Sequence, residues 1–270
     1  MTKDKFQEII DNSGNDLQFK VADFLHSHEW EATISPYYND PATGKPREID
    51  IIATKKYKVR NEVFAVRLFI ECKHIKDPVV FWFRQKNMKS ATELAKDNSI
   101  LNDKPDYYVT QDQGLAKHHY VDNVPVAKIA AKSGNRDDVF EAMNQCLNGL
   151  IFFSNGRNIP SSYHVDFPLI ITDSLQNLHK RDASSGHAPI TEPFQLEIDY
   201  SYKQPKSSGD STDIMKYFLI DIVNFDALDS FLQDLENRDI KLLRENLDWD
   251  IGAQERENRH QTNEESFDLF

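Results

Sequence analysis

The 270-residue chain is long enough for one sizeable core, and 39% hydrophobic with 28% charged residues is an ordinary soluble composition. A net charge of −12 argues against a protein that coats nucleic acid through bulk positive charge. No apolar run reaches the roughly 18 residues of a membrane-spanning helix, MTKDKFQEII lacks a signal-peptide core, and Cys72 and Cys146 offer neither a disulfide framework nor zinc spacing. The expected compartment is a reducing cytoplasm, with no membrane association.

In chain order, Ser13-Gly14-Asn15-Asp16 reads as a helix start with Ser13 as N-cap, and Leu17, Val21, Phe24, Leu25 and His28 follow at helical spacing. A short strand is expected near Trp30–Pro36, then turn residues through Pro46. Two strands follow at Arg47–Lys55 and Val63–His74, joined by a turn at Tyr57–Glu62. A polar helix is expected over Arg84–Asp97, a strand over Val124–Ala130, a helix over Asp137–Leu150 and a buried strand at Pro168–Thr172. Arg181–Pro189 and Lys203–Asp213 read as loops, with strands at Phe194–Tyr202 and Tyr217–Val223 and a helix at Ala227–Asn237. From Glu245 the chain reads as a loosely packed polar tail. The domain plan is a unit over 1–174, a strand–helix extension over 175–237 that follows or completes it, and a tail over 238–270.

The chemistry concentrates in the paired strands. Side chains alternate faces along a strand, so Phe64, Val66, Leu68, Ile70 and Cys72 form an apolar face. Ala65, Arg67, Phe69, Glu71 and Lys73 form the other, with Glu71 and Lys73 about 7 Å apart. In the first strand Ile49, Ile51 and Ala53 share a face, with Glu48 and Asp50 opposite. Folding the hairpin near residue 60 sets Asp50 opposite Glu71. Two carboxylates so placed repel and desolvate each other, and a hard divalent cation relieves both effects. The Cys72 backbone carbonyl can add a ligand oxygen, and Lys73 can take a proton from water or stabilise charge on phosphate. The other reading is a surface hairpin with solvated charges. Residues 45–96 hold 13 Lys/Arg against 6 Asp/Glu, while the rest of the chain holds 19 against 38, so the basic charge gathers around this hairpin.

Arg47-Glu48-Ile49-Asp50-Ile51-Ile52-Ala53 and Phe69-Ile70-Glu71-Cys72-Lys73 resemble the motif of the PD-(D/E)xK nuclease superfamily. The resemblance covers about residues 14–174. It implies an α/β fold with a restriction-endonuclease-like core, a central mixed β-sheet flanked by helices, here with a small C-terminal α/β extension. It also implies Mg²⁺ or Mn²⁺ bound by Asp50 and Glu71, Lys73 assisting the nucleophilic water, and a DNA substrate. Arg47 and Glu48 would be auxiliary, with Glu48 able to touch a second metal. Many members carry a Glu on the first helix, where this chain has Gln18; Glu8 substitutes only if an earlier helix folds back. Gln145 either faces the site or is a surface amide.

Elsewhere, adjacent His118 and His119 would face opposite ways in a strand and fit a surface loop better than a metal site, while His26 and His28 read as packing or surface residues. Phe81-Trp82-Phe83 either stacks on bases near the active site or belongs to the core. The leading expectation is a metal-dependent DNA endonuclease. The alternatives are a nuclease-like fold that binds nucleic acid or protein without turnover, and a catalytic subunit whose acidic C-terminal region docks a protein partner. A homodimer stays open.

Overall fold

A computed structural model describes residues 5–6, 15–40, 44–98, 117–132, 138–155, 163–182, 186–205 and 211–267. The expected N-cap Ser13 and the alternative acid Glu8 lie outside them. The strands are β1 (Glu31–Ile34), β2 (Tyr37–Asn39), β3 (Pro46–Glu48), β4 (Ile51–Val59), β5 (Glu62–Lys73), β6 (Val79–Gln85), β7 (Pro125–Lys132), β8 (Tyr163–Thr172), β9 (Leu178–Arg181), β10 (His187–Pro189), β11 (Phe194–Pro205) and β12 (Ser211–Asn224). The helices are α1 (Asn15–Ser27), α2 (Met88–Asp97), α3 (Asp138–Asn155), α4 (Leu228–Leu235) and α5 (Lys241–Phe267).

Ten strands form one mixed sheet in the order β1-β4-β5-β8-β12-β11-β7-β6-β9-β10, and β2 pairs with β3 beside it. The β4–β5 hairpin is antiparallel, with Val59 opposite Glu62 and Ile51 opposite Ile70. β8 runs parallel to both β5 and β12. Central parallel strands are covered on both faces and so read as continuous apolar runs; Val165, Phe167, Leu169, Ile170 and Ile171 fit that description.

Two apolar clusters fill the two faces. On one, α1 contributes Leu17, Val21 and Leu25, and α2, α4 and α5 add Leu94, Leu232 and Leu243, against Ile51, Phe64, Val66, Leu68 and Ile70. On the other, α3 lays Met143, Cys146, Leu147 and Leu150 over Ile49, Phe69 and Ile170. Gly149 lets α3 approach, since a Cβ there would meet Ile49 Cδ1 at 3.1 Å. Each buried Leu, Ile or Phe contributes roughly 1.5–3 kcal/mol.

Several expectations change. The strand expected over Arg47–Lys55 is broken at Ile49–Asp50, and Ile49 packs under α3 while Ile51 packs on the opposite face. Strict alternation therefore fails across the break. Residues 79–85 are a strand, so the expected helix starts only at Met88, where the Asn87 side chain accepts from the Ser90 N–H. The expected loops contain strand at 187–189, 203–205 and 211–213, because pairing with β9 and between β11 and β12 overrides their polar composition. The stretch expected as a tail is helical, and Leu242, Leu243 and Leu247 anchor its first turns. Among the described residues, no helix is long and apolar enough to cross a membrane.

Burying β5 on both faces also buries Arg67. Its Nε and Nη2 donate to the two Asp166 oxygens at 2.6 Å each, and Ser154 Oγ donates to Asp166 Oδ2 at 2.5 Å. We expect Asp166→Ala to cost about 3–5 kcal/mol by stranding a buried guanidinium. The double replacement Arg67→Met, Asp166→Leu should cost far less. Urea denaturation checks this, and equal losses in both proteins would refute the pairing argument.

Candidate active site

The end of β5 carries the acidic pair. The pairing of Ile51 with Ile70 sets Asp50 opposite Glu71, as the hairpin register requires. Asp50 occupies the bend before β4, and its main chain is held from two sides. Ser35 N–H donates to the Asp50 carbonyl at 2.8 Å, and Gln18 Nε2 donates to the same oxygen at 2.7 Å and to Ser35 Oγ at 3.0 Å. Because regular pairing stops at Ile51, the Cys72 N–H finds the Asp50 carboxylate instead, donating to Oδ2 at 2.7 Å. The Asp50 N–H in turn donates to Glu71 Oε1 at 3.3 Å.

Glu71 is fully buried, and its Oε2 has no hydrogen-bond partner of good geometry; Lys73 Nζ lies 3.5 Å away. Lys73 is partly exposed and donates to Gln145 Oε1 at 3.1 Å. Gln145 sits one turn before Gly149 on the sheet-facing side of α3, so the close approach at Gly149 also brings this amide over the strand end. The structure therefore brings Gln145 to the site. Tyr38 of β2 closes the same region, its hydroxyl donating to the Gln145 carbonyl at 3.3 Å.

Electrostatics reflect the crowding. Burial raises the Asp50 carboxyl above its ordinary value, opposed by the Cys72 N–H and by Lys73. Burial raises Glu71 well above the usual range, and the Asp50 charge adds to it. Burial, then Glu71 and Asp40, lift the Tyr38 hydroxyl. The chemistry of the donor set suits a hard cation: two carboxylates, one buried oxygen unspent, and an excess of negative charge. Asp50 and Glu71 are the residues able to hold it.

The remaining expected residues are only partly gathered. Gln18 reaches Asp50 through the backbone and acts as a brace. Glu48 lies half-buried in β3 opposite Tyr37, close enough for its charge to raise Asp50, but the bend removes the shared strand face expected for the two. Arg47 is exposed and turned to Asp40, with Nε 3.8 Å from Oδ2. Cys72 buries its thiol in the α1 side of the core. Phe81-Trp82-Phe83 sits in β6, separated from β5 by four intervening strands, with Phe81 buried against Phe194. That distance removes it from the acidic pair. Tyr38 was missed, and no local pattern could have revealed it.

His118 and His119 also depart from expectation. They occupy a buried 3-10 turn rather than a surface loop, with rings stacked at 5.2 Å, and both address Asp239. In such a turn adjacent side chains need not oppose each other as they would in a strand. Burial alone would lower the His119 pKa, but Asp239 and Asp221 more than offset it, raising it to about 10.

No protein-family model, no curated protein and no solved structure matches the chain.

The raised Glu71 pKa fixes a sign for stability. A carboxyl whose folded pKa lies above its ordinary 4.5 contributes stability below that value and loses it as pH climbs toward the folded pKa. Glu71→Gln keeps an acceptor for the Asp50 N–H and removes the buried charge. In chelator-treated protein we expect this variant to melt higher than wild type at pH 8, by a few degrees if the relief is about 1 kcal/mol. The gain should shrink at pH 5. Calorimetric Tm values at both pH values test it, and a lower Tm for the variant at pH 8 would refute it.

Proposed function

We propose that this chain is a metal-dependent nuclease, most simply a DNA endonuclease, with Asp50 and Glu71 as ligands of Mg²⁺ or Mn²⁺ and Lys73 as the assisting base or charge stabiliser. The observation that carries the reading is the buried carboxylate pair at adjoining strand ends, with Glu71 Oε2 outside any hydrogen bond of good geometry and Lys73 Nζ at ion-pair distance, 3.5 Å away. With β2–β3 and the β6–α2–β7 stretch set aside as insertions, the order α1, β1, β4, β5, α3, β8, with β5 parallel to β8, adds support. It resembles the helix–strand–strand–strand–helix–strand course of the restriction-endonuclease-like core.

Bound there, a hard cation would polarise a phosphodiester and lower the pKa of a water. The chain's own residues do the rest. Asp50 is fixed by the Cys72 N–H on its carboxylate and by Gln18 and Ser35 on its carbonyl. The Cys72 carbonyl faces the same neighbouring strand as its N–H, towards the gap where β4 has ended. Lys73 Nζ, steadied by Gln145, donates to phosphate oxygens that gain charge or takes the proton of the attacking water. Gln18 supplies no third carboxylate, which favours a single cation over two.

A second reading is a nuclease-like fold that binds nucleic acid or a protein partner without turnover. The complete burial of Glu71 and the commitment of the Gln18 amide to Asp50 favour it.

Plasmid DNA incubated with Mg²⁺ or Mn²⁺ decides between them. We expect wild-type cleavage, with Asp50→Ala and Lys73→Ala slower by about 10²–10⁴-fold. Equal cleavage by all three proteins would defeat the assignment. Mn²⁺ calorimetry adds a binding readout: affinity that depends on Asp50 and Glu71, with no cleavage, would favour the binding module.

A further inference from the structure

A second constellation of ligand atoms lies on the opposite face of the sheet. Glu71 shares its face with Phe69 under α3, whereas Asp221 of β12 shares its face with Leu219, which packs with α1, α2 and α4. Beside Asp221, the 3-10 turn at His119–Val121 brings His118 and His119 against Asp239, which sits in a π-helical turn, Glu236–Ile240, between α4 and α5. Single-turn π segments are frequent at functional sites.

The atoms converge. His118 Nδ1 is 2.9 Å and His119 Nδ1 2.7 Å from Asp239 Oδ1, and one donor atom from each residue lies within 4.8 Å of the others. On the far side of the His119 ring, Nε2 is 3.1 Å from Asp221 Oδ2, and Gln195 Nε2 donates to Asp221 Oδ1 at 3.0 Å. A histidine that meets a cation through one nitrogen and a carboxylate through the other, with that carboxylate itself hydrogen-bonded, is the usual outer support of a metal ligand. Asp239 Oδ2 lacks a partner although the residue is fully buried, while His118 Nδ1 also accepts from the Tyr120 N–H at 3.2 Å. Buried polar atoms are rarely left so without an ion or ligand to explain them.

We propose that His118, His119 and Asp239 form a binding site for a borderline divalent cation of the Zn²⁺ class, with Asp221 orienting His119. Imidazole and carboxylate donors suit that class better than Mg²⁺. Three protein ligands leave a coordination position, and the cluster borders a cavity of about 370 Å³ that His119, Asp239, Asp221 and Asp122 line together with Phe83 and Phe231. Lys180 and Arg238 also line the cavity, but the carboxylates outnumber them, and the excess favours a cation over an anion. The site rests on residues separate from the Asp50–Glu71 pair and does not depend on the nuclease reading.

The test uses the full chain, stripped by chelator, titrated with Zn²⁺ in a calorimeter and with Co²⁺ as an absorbing probe. We expect one Zn²⁺ per chain at this site, with binding retained in Asp50→Ala. His119→Ala and Asp239→Asn should abolish it, and Asp221→Asn should weaken it by about 10–100-fold. Should those variants fail to fold, the wild-type protein still answers. Histidine imidazole signals that shift on one equivalent of Zn²⁺, with a tetrahedral-type Co²⁺ spectrum, support the site. Absence of both, with His119 remaining a doubly protonated imidazolium, would show that a proton closes the cluster and would overturn the proposal. Zn²⁺ affinity unchanged in folded His119→Ala would overturn it equally.

Discussion

The burial of β5 on both faces is the constraint on which the rest of the molecule turns. A strand in the interior of a ten-stranded sheet, covered by helices above and below, has no solvent side on which to leave a charge. Two buried charged residues, Arg67 and Glu71, nevertheless fall on its α3 face. Arg67 is matched by Asp166 at the register-paired position of β8, with Ser154 adding a third bond. Glu71 receives looser partners, a 3.3 Å contact from the Asp50 N–H and the Lys73 ammonium at 3.5 Å. Arg67 is closed by two short bonds to one carboxylate, whereas Glu71 keeps one oxygen outside any hydrogen bond of good geometry.

What keeps Glu71 in that state is a break in regular pairing. β4 ends its ladder at Ile51, and the Asp50 carboxylate takes over the Cys72 N–H that the ladder no longer uses. The bend turns Ile49 under α3, and Gly149 opens the space in which Ile49 is received. That same approach sets Gln145 against Lys73 and leaves room for Tyr38 over the strand end. Core packing and site geometry are thus one arrangement: filling the contact at Gly149 would displace Ile49, the direct neighbour of Asp50.

The sheet separates two electrostatic problems. On the α3 face, carboxylates of one hairpin crowd together with a lysine. On the other face, segments near residues 118, 221 and 239 meet, and two carboxylates surround one imidazole. Each pair of carboxylates has a positive side chain beside it, Lys73 at the first and His119 at the second, and the donor atoms around them differ. For the cations proposed at the two places, oxygen donors at the first suit a hard ion, and nitrogen with oxygen at the second suits a borderline one.

The alternation of Phe64 to Cys72, the short turn and the Glu71-Cys72-Lys73 triplet are local, period-two facts, and from them the sequence determined the hairpin register that sets Asp50 against Glu71. The helical spacing of Leu17, Val21 and Leu25 likewise sufficed for α1. Tertiary structure alone decided the bend at Asp50, the burial of Glu71 and the arrival of Gln145 and Tyr38, because each follows from packing between elements far apart in the chain. The helical tail and the strands within polar segments belong here too, since pairing and a few buried leucines outweighed local composition. So does the meeting of His119 with Asp239, 120 residues away, for which adjacent histidines in a sequence carry no signal.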